Sequence, residues 1–370
     1  MKKRDLYIAI FLLTMIGYAA CQRGSEGSKK ASEKIKRFTT ARFETDPMSQ
    51  ATDEDAADDP VIWVNWQNPD DSKIIGTDKK GGLAIYNLEG EQLFYYPDGN
   101  MNNVDLRYGF VLGNDTVDLV CASNRSSQSI SVYKINQDGS LENIAGDPMQ
   151  SAMQDEVYGF CMYQSPVSGK YYAFVNSKAG EVEQWELLAV DGKMEGSRVR
   201  TFSLGTQVEG MVADDENQTL FIGEEVAGIW KFDAEPDGST DGTKLAMSTE
   251  EENENIRYDL EGLALYYLPE GEGYLVASSQ GNYSYAVFNR QSPHVYLGSF
   301  RIDGGVVDGA EETDGLEICS FPLNDDFQHG LLVVQDGFNK DKKGKDEPQN
   351  FKLVAWEDVA SLFQSALKMN

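Results

Sequence analysis

Residues 205–225 read Gly-Thr-Gln-Val-Glu-Gly-Met-Val-Ala-Asp-Asp-Glu-Asn-Gln-Thr-Leu-Phe-Ile-Gly-Glu-Glu. Two short apolar runs, Met211–Ala213 and Thr219–Gly223, flank a polar turn, which is the pattern of an antiparallel hairpin. Because one strand of a hairpin starts beside the end of the next, three carboxylates are predicted to meet at one edge: Glu209, Glu224 and Glu225. Crowded carboxylates repel one another unless a cation lies between them, and oxygen ligands of this kind suit calcium.

The same pattern recurs along the chain. An apolar strand that starts at a Gly or a Pro occurs six times, at intervals of about 50 residues, which is a repeat length typical of propeller blades. The residues that precede these strands are Asp59, Tyr108, Tyr158, Glu209, Glu261 and Asp314. A second and a third strand follow in each repeat. The sequence therefore predicts an all-β fold, a six-bladed β-propeller.

The repeats also predict a functional rim. In a propeller the first strand of each blade lines the central channel, so the six residues before these strands are expected at its mouth. The ends of the second strands add Lys79, Arg125, Lys178, Glu225, Gln280 and Asp336. The first three are cations and the others are mainly acids. We therefore predict a basic half that binds an anion beside an acidic half that binds a metal ion.

Such a split rim suits the transfer of a phosphoryl group to water. The three cations can hold phosphate oxygens, while a calcium ion held by the acids lowers the pKa of a bound water and positions it for attack. Charge that develops on the phosphate is then stabilised from both sides. The residues alone leave two alternatives open, a metal-dependent lactonase and a non-catalytic propeller that binds a ligand.

The net charge of the chain disfavours negatively charged binding partners. It contains 32 Lys and Arg against 61 Asp and Glu, a formal net charge of -29. Nucleic acid and anionic membrane surfaces are not expected as partners because both are negatively charged. The sequence also contains no P-loop, zinc motif or Gly-x-Ser-x-Gly elbow.

The N-terminal residues predict export. Residues 1–21 combine a basic start, the apolar run Leu6–Tyr18 and small residues before Cys21, which is typical of a bacterial lipoprotein signal. We predict that Cys21 carries a lipid and that this lipid is the protein's one contact with a membrane. An ordinary cleaved signal is the alternative. Both place the mature protein outside the cytoplasm, either anchored to the cell envelope or secreted.

The remaining chain is divided by composition. Residues 22–45 are predicted to be a flexible linker and residues 46–365 to be the propeller domain. Residues 42–46 are also a candidate for closing the ring against the last blade. Three cysteines remain in apolar strand-like runs, and their odd number predicts buried free thiols instead of a disulfide framework: Cys121, Cys161 and Cys319.

Longer strings in the sequence resemble the β-propeller phytases. They extend from about residue 46 to residue 360 and include Asp58-Asp-Pro-Val-Ile-Trp, Gly76-Thr-Asp-Lys-Lys-Gly-Gly-Leu, Asn102-Asn-Val-Asp-Leu-Arg-Tyr-Gly-Phe, Glu156-Val-Tyr-Gly-Phe-Cys, Glu209-Gly-Met-Val-Ala-Asp-Asp-Glu and Gln349-Asn-Phe-Lys-Leu-Val. The resemblance implies a calcium-dependent phytase of the 3-phytase type. Such an enzyme hydrolyses phytate, myo-inositol hexakisphosphate, to lower inositol phosphates and free phosphate.

The resemblance further implies which residues form the site. The catalytic set is Glu209, Glu225, Tyr158, Lys178, Arg125 and Lys79, of which the three cations also bind the substrate. Several calcium ions are implied at Asp58, Asp59, Tyr158, Glu209, Glu225, Glu261, Asp308 and Asp314. In the family, calcium-bound water attacks phosphorus, and a second phosphate pocket raises the affinity for neighbouring phosphates. We expect a monomer that acts on phytate or calcium-phytate.

Overall fold

The computed structural model describes residues 27–48 and 55–370. The predicted signal, including Cys21, lies outside these residues. The strands of the described part, in chain order, are β1 (Phe38–Thr40), β2 (Phe43–Glu44), β3 (Ala57–Trp63), β4 (Lys73–Asp78), β5 (Gly82–Tyr86), β6 (Gln92–Tyr96), β7 (Met101–Leu112), β8 (Asp115–Asn124), β9 (Ser129–Ile135), β10 (Leu141–Asn143), β11 (Met149–Gln150), β12 (Val157–Gln164), β13 (Tyr171–Ser177), β14 (Glu181–Val190), β15 (Lys193–Ser203), β16 (Val208–Asp214), β17 (Thr219–Glu224), β18 (Gly228–Asp233), β19 (Thr243–Lys244), β20 (Leu260–Tyr267), β21 (Gly273–Ser279), β22 (Ser284–Asn289), β23 (Tyr296–Asp303), β24 (Leu316–Cys319), β25 (Leu331–Asp336) and β26 (Asn350–Ala355).

These strands form a β-propeller. Within residues 27–48 and 55–370 they make six sheets, in which consecutive strands pair antiparallel around β3, β7, β12, β16, β20 and β24. These inner strands contact one another in a closed ring, and β24 returns to β3. The predicted six-bladed, all-β fold is therefore confirmed. Blades 1 to 6 are numbered below in the order of their inner strands.

The N-terminal strands close the ring. Strand β2 pairs with β26, with Phe43 opposite Leu353, and so completes the sheet of blade 6. Strand β1 runs parallel to β23 at the outer edge of blade 5. The prediction that residues 42–46 close the ring is confirmed. The prediction that residues 22–45 form a flexible linker is wrong for β1 and β2, because these strands satisfy the hydrogen bonds of two sheet edges.

Hydrophobic cores lie between neighbouring blades. Each pair of adjacent sheets in the described part encloses one cluster of buried side chains, for example the cluster of Cys161, Phe174 and Ile222 between blades 3 and 4. The corresponding cluster between blades 6 and 1 includes Phe351 and Leu353 of β26. Cys121, Cys161 and Cys319 are free and buried, as predicted. The ring is thus stabilised by apolar burial at every blade interface.

The glycines that mark the repeats lie where inner strands approach one another. A Cβ atom on Gly159 would lie 1.9 Å from the carbonyl oxygen of Glu209 in the next blade. A Cβ atom on Gly210 would lie 2.1 Å from the carbonyl oxygen of Glu261. Only glycine fits backbone contacts this close, so the recurring Gly follows from the narrow channel.

The described part also contains little helix. The one α-helix whose bounds are defined, α1, spans Trp356–Ala360, and residues 27–32 are also helical. Short 3-10 segments are Pro69–Asp71, Pro269–Gly271 and Gln280–Asn282. In the described ranges, no helix combines the length and the apolar character needed to cross a bilayer.

Candidate active site

A bulge near the start of the inner strands aims side chains at one mouth of the channel. The pairing of β16 with β17 shifts between Val208 and Met211, and Glu209 lies in this shift. Equivalent shifts contain Tyr158 in blade 3 and Glu261 in blade 5. Because a bulge bends the strand and re-aims its side chains, the same position in each blade faces the same rim.

The bulges correct the alignment of blades 1 and 2. In blade 1 the shift lies between Ala57 and Pro60, so Asp58, rather than Asp59, is equivalent to Glu209. In blade 2 the first shift lies between Met101 and Val104, so Asn102 takes the rim position that was predicted for Tyr108. The hydroxyl of Tyr108 instead accepts a hydrogen bond from the Val64 amide at 2.8 Å. The prediction failed because blades 1 and 2 lack the glycine that marks this position in the others.

The second strands end at the same rim. The residues that directly follow β4, β8, β13, β17, β21 and β25 are Lys79, Arg125, Lys178, Glu225, Gln280 and Gly337. The prediction of Asp336 in blade 6 is therefore wrong by one position. Backbone hydrogen bonds across the bulge hold several of these residues, such as Glu225 N–H to the Gln207 carbonyl at 3.1 Å.

Three buried glutamates form the acidic half. Glu209, Glu225 and Glu261 each offer a carboxylate oxygen within 4.8 Å of the others. Burial, and after it the charge of Glu209, raises the pKa of Glu225 from 4.5 to about 7. The same two causes raise the pKa of Glu261. Without a cation the cluster therefore retains protons up to about neutral pH, and its carboxylates repel one another once these protons are lost.

The basic half lies against Tyr158. The Lys178 Nζ atom is 4.7 Å and the Arg125 guanidinium carbon is 6.0 Å from the centre of its ring. Burial and the charge of Glu209 raise the pKa of the Tyr158 hydroxyl, which keeps it protonated. Tyr158 thus contacts the two cations with its ring and Glu209 with its hydroxyl.

Lys79 binds the acids of blades 1 and 6. Its Nζ atom lies 3.3 Å from Asp58 Oδ2 and 2.8 Å from Asp314 Oδ2. Burial alone would lower the pKa of this ammonium, but Asp58 and Asp314 outweigh that effect and raise the pKa. Gln280 donates to the other oxygen of Asp314 at 2.7 Å. The third predicted cation is therefore already neutralised by carboxylates.

The rim as a whole joins nine of the predicted site residues through these contacts. They are Asp58, Lys79, Arg125, Tyr158, Lys178, Glu209, Glu225, Glu261 and Asp314. Asn102, which the repeat alignment missed, connects the two halves: its amide donates to Glu209 at 2.6 Å, and its oxygen accepts from Arg125 at 3.2 Å. In the sequence, Asn102 could have been found only by aligning Asn102-Asn-Val-Asp with the bulges of the other blades, although it lacks their glycine.

Asp59 and Asp308 lie apart from this rim. Asp59 accepts a hydrogen bond from Val104 N–H at 3.0 Å and lines a cavity of about 460 Å³ that also contains Tyr108 and Glu317. Asp308 forms an ion pair with Lys352 and accepts from Lys340 N–H at 2.8 Å. Both acids were predicted as calcium ligands, and the structure places neither in the glutamate cluster.

The glutamate cluster fits a calcium ion. Glu225 Oε1 and Glu261 Oε2 are buried atoms with no hydrogen-bond partner among the described residues. Such atoms are costly to bury unless a ligand satisfies them. Carboxylate oxygens are the type of ligand that Ca²⁺ takes, and the three glutamates would supply part of the roughly six to eight oxygens that this ion binds.

Comparisons with known proteins agree with this architecture. The sequence matches the Phytase family over residues 4–370. The 3-phytase of Bacillus subtilis (strain 168) is 47% identical over 328 residues, which cover 87% of this chain and 84% of that protein. A solved structure of a protein of unknown function from Bacteroides thetaiotaomicron has a TM-score of 0.52 at 9% identity, covering 86% of this chain and 75% of that chain, and shows similarity of fold alone. The family match and the Bacillus relative establish that this chain belongs to the phytase family.

Proposed function

We propose that the protein hydrolyses phytate to lower inositol phosphates and free phosphate, and that it requires calcium. The observation that carries this proposal is the position of Arg125 and Lys178 beside Tyr158, across from the three glutamates. Phosphate monoesters need cationic ligands for their oxygens and an activated water as nucleophile. The two halves of the rim can supply both.

The side chains of this chain have separable roles in the proposal. Arg125 and Lys178 bind and orient the phosphate group, and the planar guanidinium of Arg125 can donate to two oxygens at once. Glu209, Glu225 and Glu261 would hold calcium, which when bound supplies positive charge and lowers the pKa of water. Tyr158 keeps its proton and contacts both phosphate-binding cations with its ring.

A metal-dependent lactonase fits the rim less well. Such an enzyme would use the acidic half, but it would have no need for two cations beside Tyr158. A non-catalytic ligand-binding propeller would need the cations but not three buried carboxylates with unpaired oxygens. The phytase relative described above supports the first function over these two.

Phosphate release from phytate tests the proposal. We expect release in the presence of calcium, loss of release on addition of a chelator, and recovery on addition of excess calcium. Lys178→Met should remove most of the turnover, because the phosphate loses one of its ligands. Lys170→Met is the matched control, because Lys170 is an exposed lysine paired with Glu186. A folded, calcium-loaded wild-type protein that releases no phosphate would refute the proposal.

We also propose that the protein acts as a monomer outside the cytoplasm, anchored through lipid on Cys21. The support is the sequence of residues 1–21 and the negative charge of the chain, which disfavours direct binding to anionic lipid. Mass spectrometry of the N-terminal peptide tests the anchor: an unmodified Cys21 in membrane-isolated protein would contradict it.

A further inference from the structure

Glu156 bridges the two phosphate-binding cations. It lies just before β12, and its Oε2 atom accepts from the Arg125 guanidinium at 2.7 Å and lies 3.2 Å from Lys178 Nζ. Among the described residues, Glu156 is the one carboxylate within ion-pair distance of either cation. One anionic oxygen therefore already occupies the space between the two groups that the proposed function assigns to phosphate.

The surroundings make this bridge displaceable. The side chain of Glu156 is 36% exposed, and those of Arg125 and Lys178 are 19% and 33% exposed. Ion pairs at this degree of exposure contribute little stability and can be exchanged. The Glu156 carboxylate also has no other ion-pair partner among the described residues, so it can rotate outward without leaving a further group unpaired.

The cations have partners that remain when Glu156 leaves. Arg125 keeps its hydrogen bond to the Asn102 oxygen, and both cations keep their contact with the Tyr158 ring. The Arg125 Nε atom is buried and has no hydrogen-bond partner in the described ranges. The Arg125 guanidinium thus has one N–H donor, Nε, that the Glu156 oxygen does not accept from. An incoming anion with several oxygens can accept from this donor as well.

We propose that Glu156 is a positioning residue that takes the place of a substrate phosphate while the site is free. It holds Arg125 and Lys178 together, and phosphate displaces it on binding. A phosphate group carries more charge and more acceptor oxygens than a carboxylate. The Glu156 carboxylate therefore competes with every incoming anion, and a phosphate group has the charge and the number of oxygens needed to displace it. This inference rests on the proposed function for the identity of the substrate.

Binding of inorganic phosphate measures this exchange without turnover. The full chain is titrated calorimetrically with inorganic phosphate, at a calcium concentration below precipitation. Glu156→Gln keeps a hydrogen-bond acceptor but removes the competing charge, so phosphate should bind roughly three- to tenfold more tightly, the range expected for a partly exposed ion pair. Glu156→Asp should also raise the affinity for phosphate, because its side chain is one methylene shorter and cannot bridge both cations.

Kinetics and a matched control complete the test. Glu156→Gln should lower KM for phytate more than it changes kcat, and sulfate affinity should rise by about the same factor as phosphate affinity, because both anions displace the same carboxylate. Asp155→Asn is the control: Asp155 is an exposed neighbour whose side chain accepts a hydrogen bond from the Glu156 amide at 2.7 Å and forms no ion pair within residues 27–48 and 55–370. Unchanged phosphate affinity in both Glu156 variants, or an equal gain in Asp155→Asn, would overturn the inference. Absence of phytate hydrolysis in the wild type would refute the proposed function and leave the binding result interpretable.

Discussion

At the scale of single residues, Glu209 connects the two halves of the rim. Its carboxylate accepts from Asn102 at 2.6 Å and belongs to the glutamate cluster. Its charge is also the leading electrostatic cause of the raised pKa values of Asp58, Glu225 and Glu261. A single carboxylate with this many charged neighbours has a functional role more often than a structural one.

We therefore expect Glu209→Gln to lower kcat for phytate by about two orders of magnitude or more, a loss typical for a removed electrostatic group. The amide oxygen of Gln can still accept from Asn102, so the fold should stay intact. Calcium should bind more weakly because one ligand charge is lost. Kinetics and calcium titration check this, with Glu224→Gln as control, since Glu224 Oε2 instead accepts from Trp230 at 2.7 Å. A wild-type rate in Glu209→Gln would place the site elsewhere.

The glycine pattern in the sequence located some rim residues and missed Asn102. Tyr158, Glu209, Glu261 and Asp314 were located correctly because a glycine follows each, and the narrow channel requires that glycine. Asn102 was missed because Asn103 stands where blades 3 to 6 have glycine, and the next Tyr-Gly pair is six residues further on. Pattern alone cannot detect a bulge whose defining residue has changed, whereas strand register can.

At the scale of secondary structure, the last blade depends on a strand from the other end of the chain. Glu44 of β2 and Asp336 of β25 both form ion pairs with Lys352 of β26, and Asp308 joins them. Lys352 is fully buried, whereas burial raises the pKa of Asp336 to about 6 despite the neighbouring ammonium. The closure of the ring therefore includes a buried cation among three acids.

We expect Lys352→Met to destabilise the protein strongly. Removing one partner of a buried ion pair leaves uncompensated charge and costs about 3–5 kcal/mol. Thermal unfolding in the presence of a chelator should show a melting temperature several degrees below that of the wild type. Lys340→Met is the control, because Lys340 lies at the surface 3.9 Å from Asp346. Equal melting temperatures for the two variants would contradict a role of Lys352 in closing the ring.

The elements themselves were largely predictable. A second and a third strand follow the inner strand in each blade, as the sequence predicted, because apolar runs between Gly and Asp turns mark strands well. Strand β2 lies within the segment that was expected to close the ring, whereas β1 was not expected to join a blade. Both strands are short, and Phe38–Glu44 has no partner nearby in sequence, so its pairing depends on contacts with residues about 260 and 310 positions away that only the closed ring creates.

At the scale of the whole molecule, the fold concentrates negative charge at one mouth of a channel. Burial and mutual repulsion raise the pKa values of Asp58, Glu225 and Glu261, and burial does the same for Asp314. Around them the chain carries a net charge of -29. The propeller thus builds a site that is strained without a cation, and this strain links stability to both pH and calcium.

The calcium-free protein should accordingly lose stability as the pH rises. In the unfolded chain Glu225 has its usual pKa of 4.5 and is ionised at any higher pH. In the folded protein, burial raises the pKa of Glu225 to about 7, so it keeps its proton up to that pH. The folded state therefore binds more protons between these values, and stability falls as pH increases through this window. In a chelator, the melting temperature should be several degrees lower at pH 8 than at pH 5.5. Saturating calcium should raise the melting temperature at both pH values and reduce the difference between them, because calcium binds the folded state and neutralises the carboxylates.

Glu225→Gln, which cannot ionise at this position, should show a smaller change of melting temperature with pH. A pH-independent melting temperature without calcium, or no rise when calcium is added, would mean that the glutamate cluster is not the cation site.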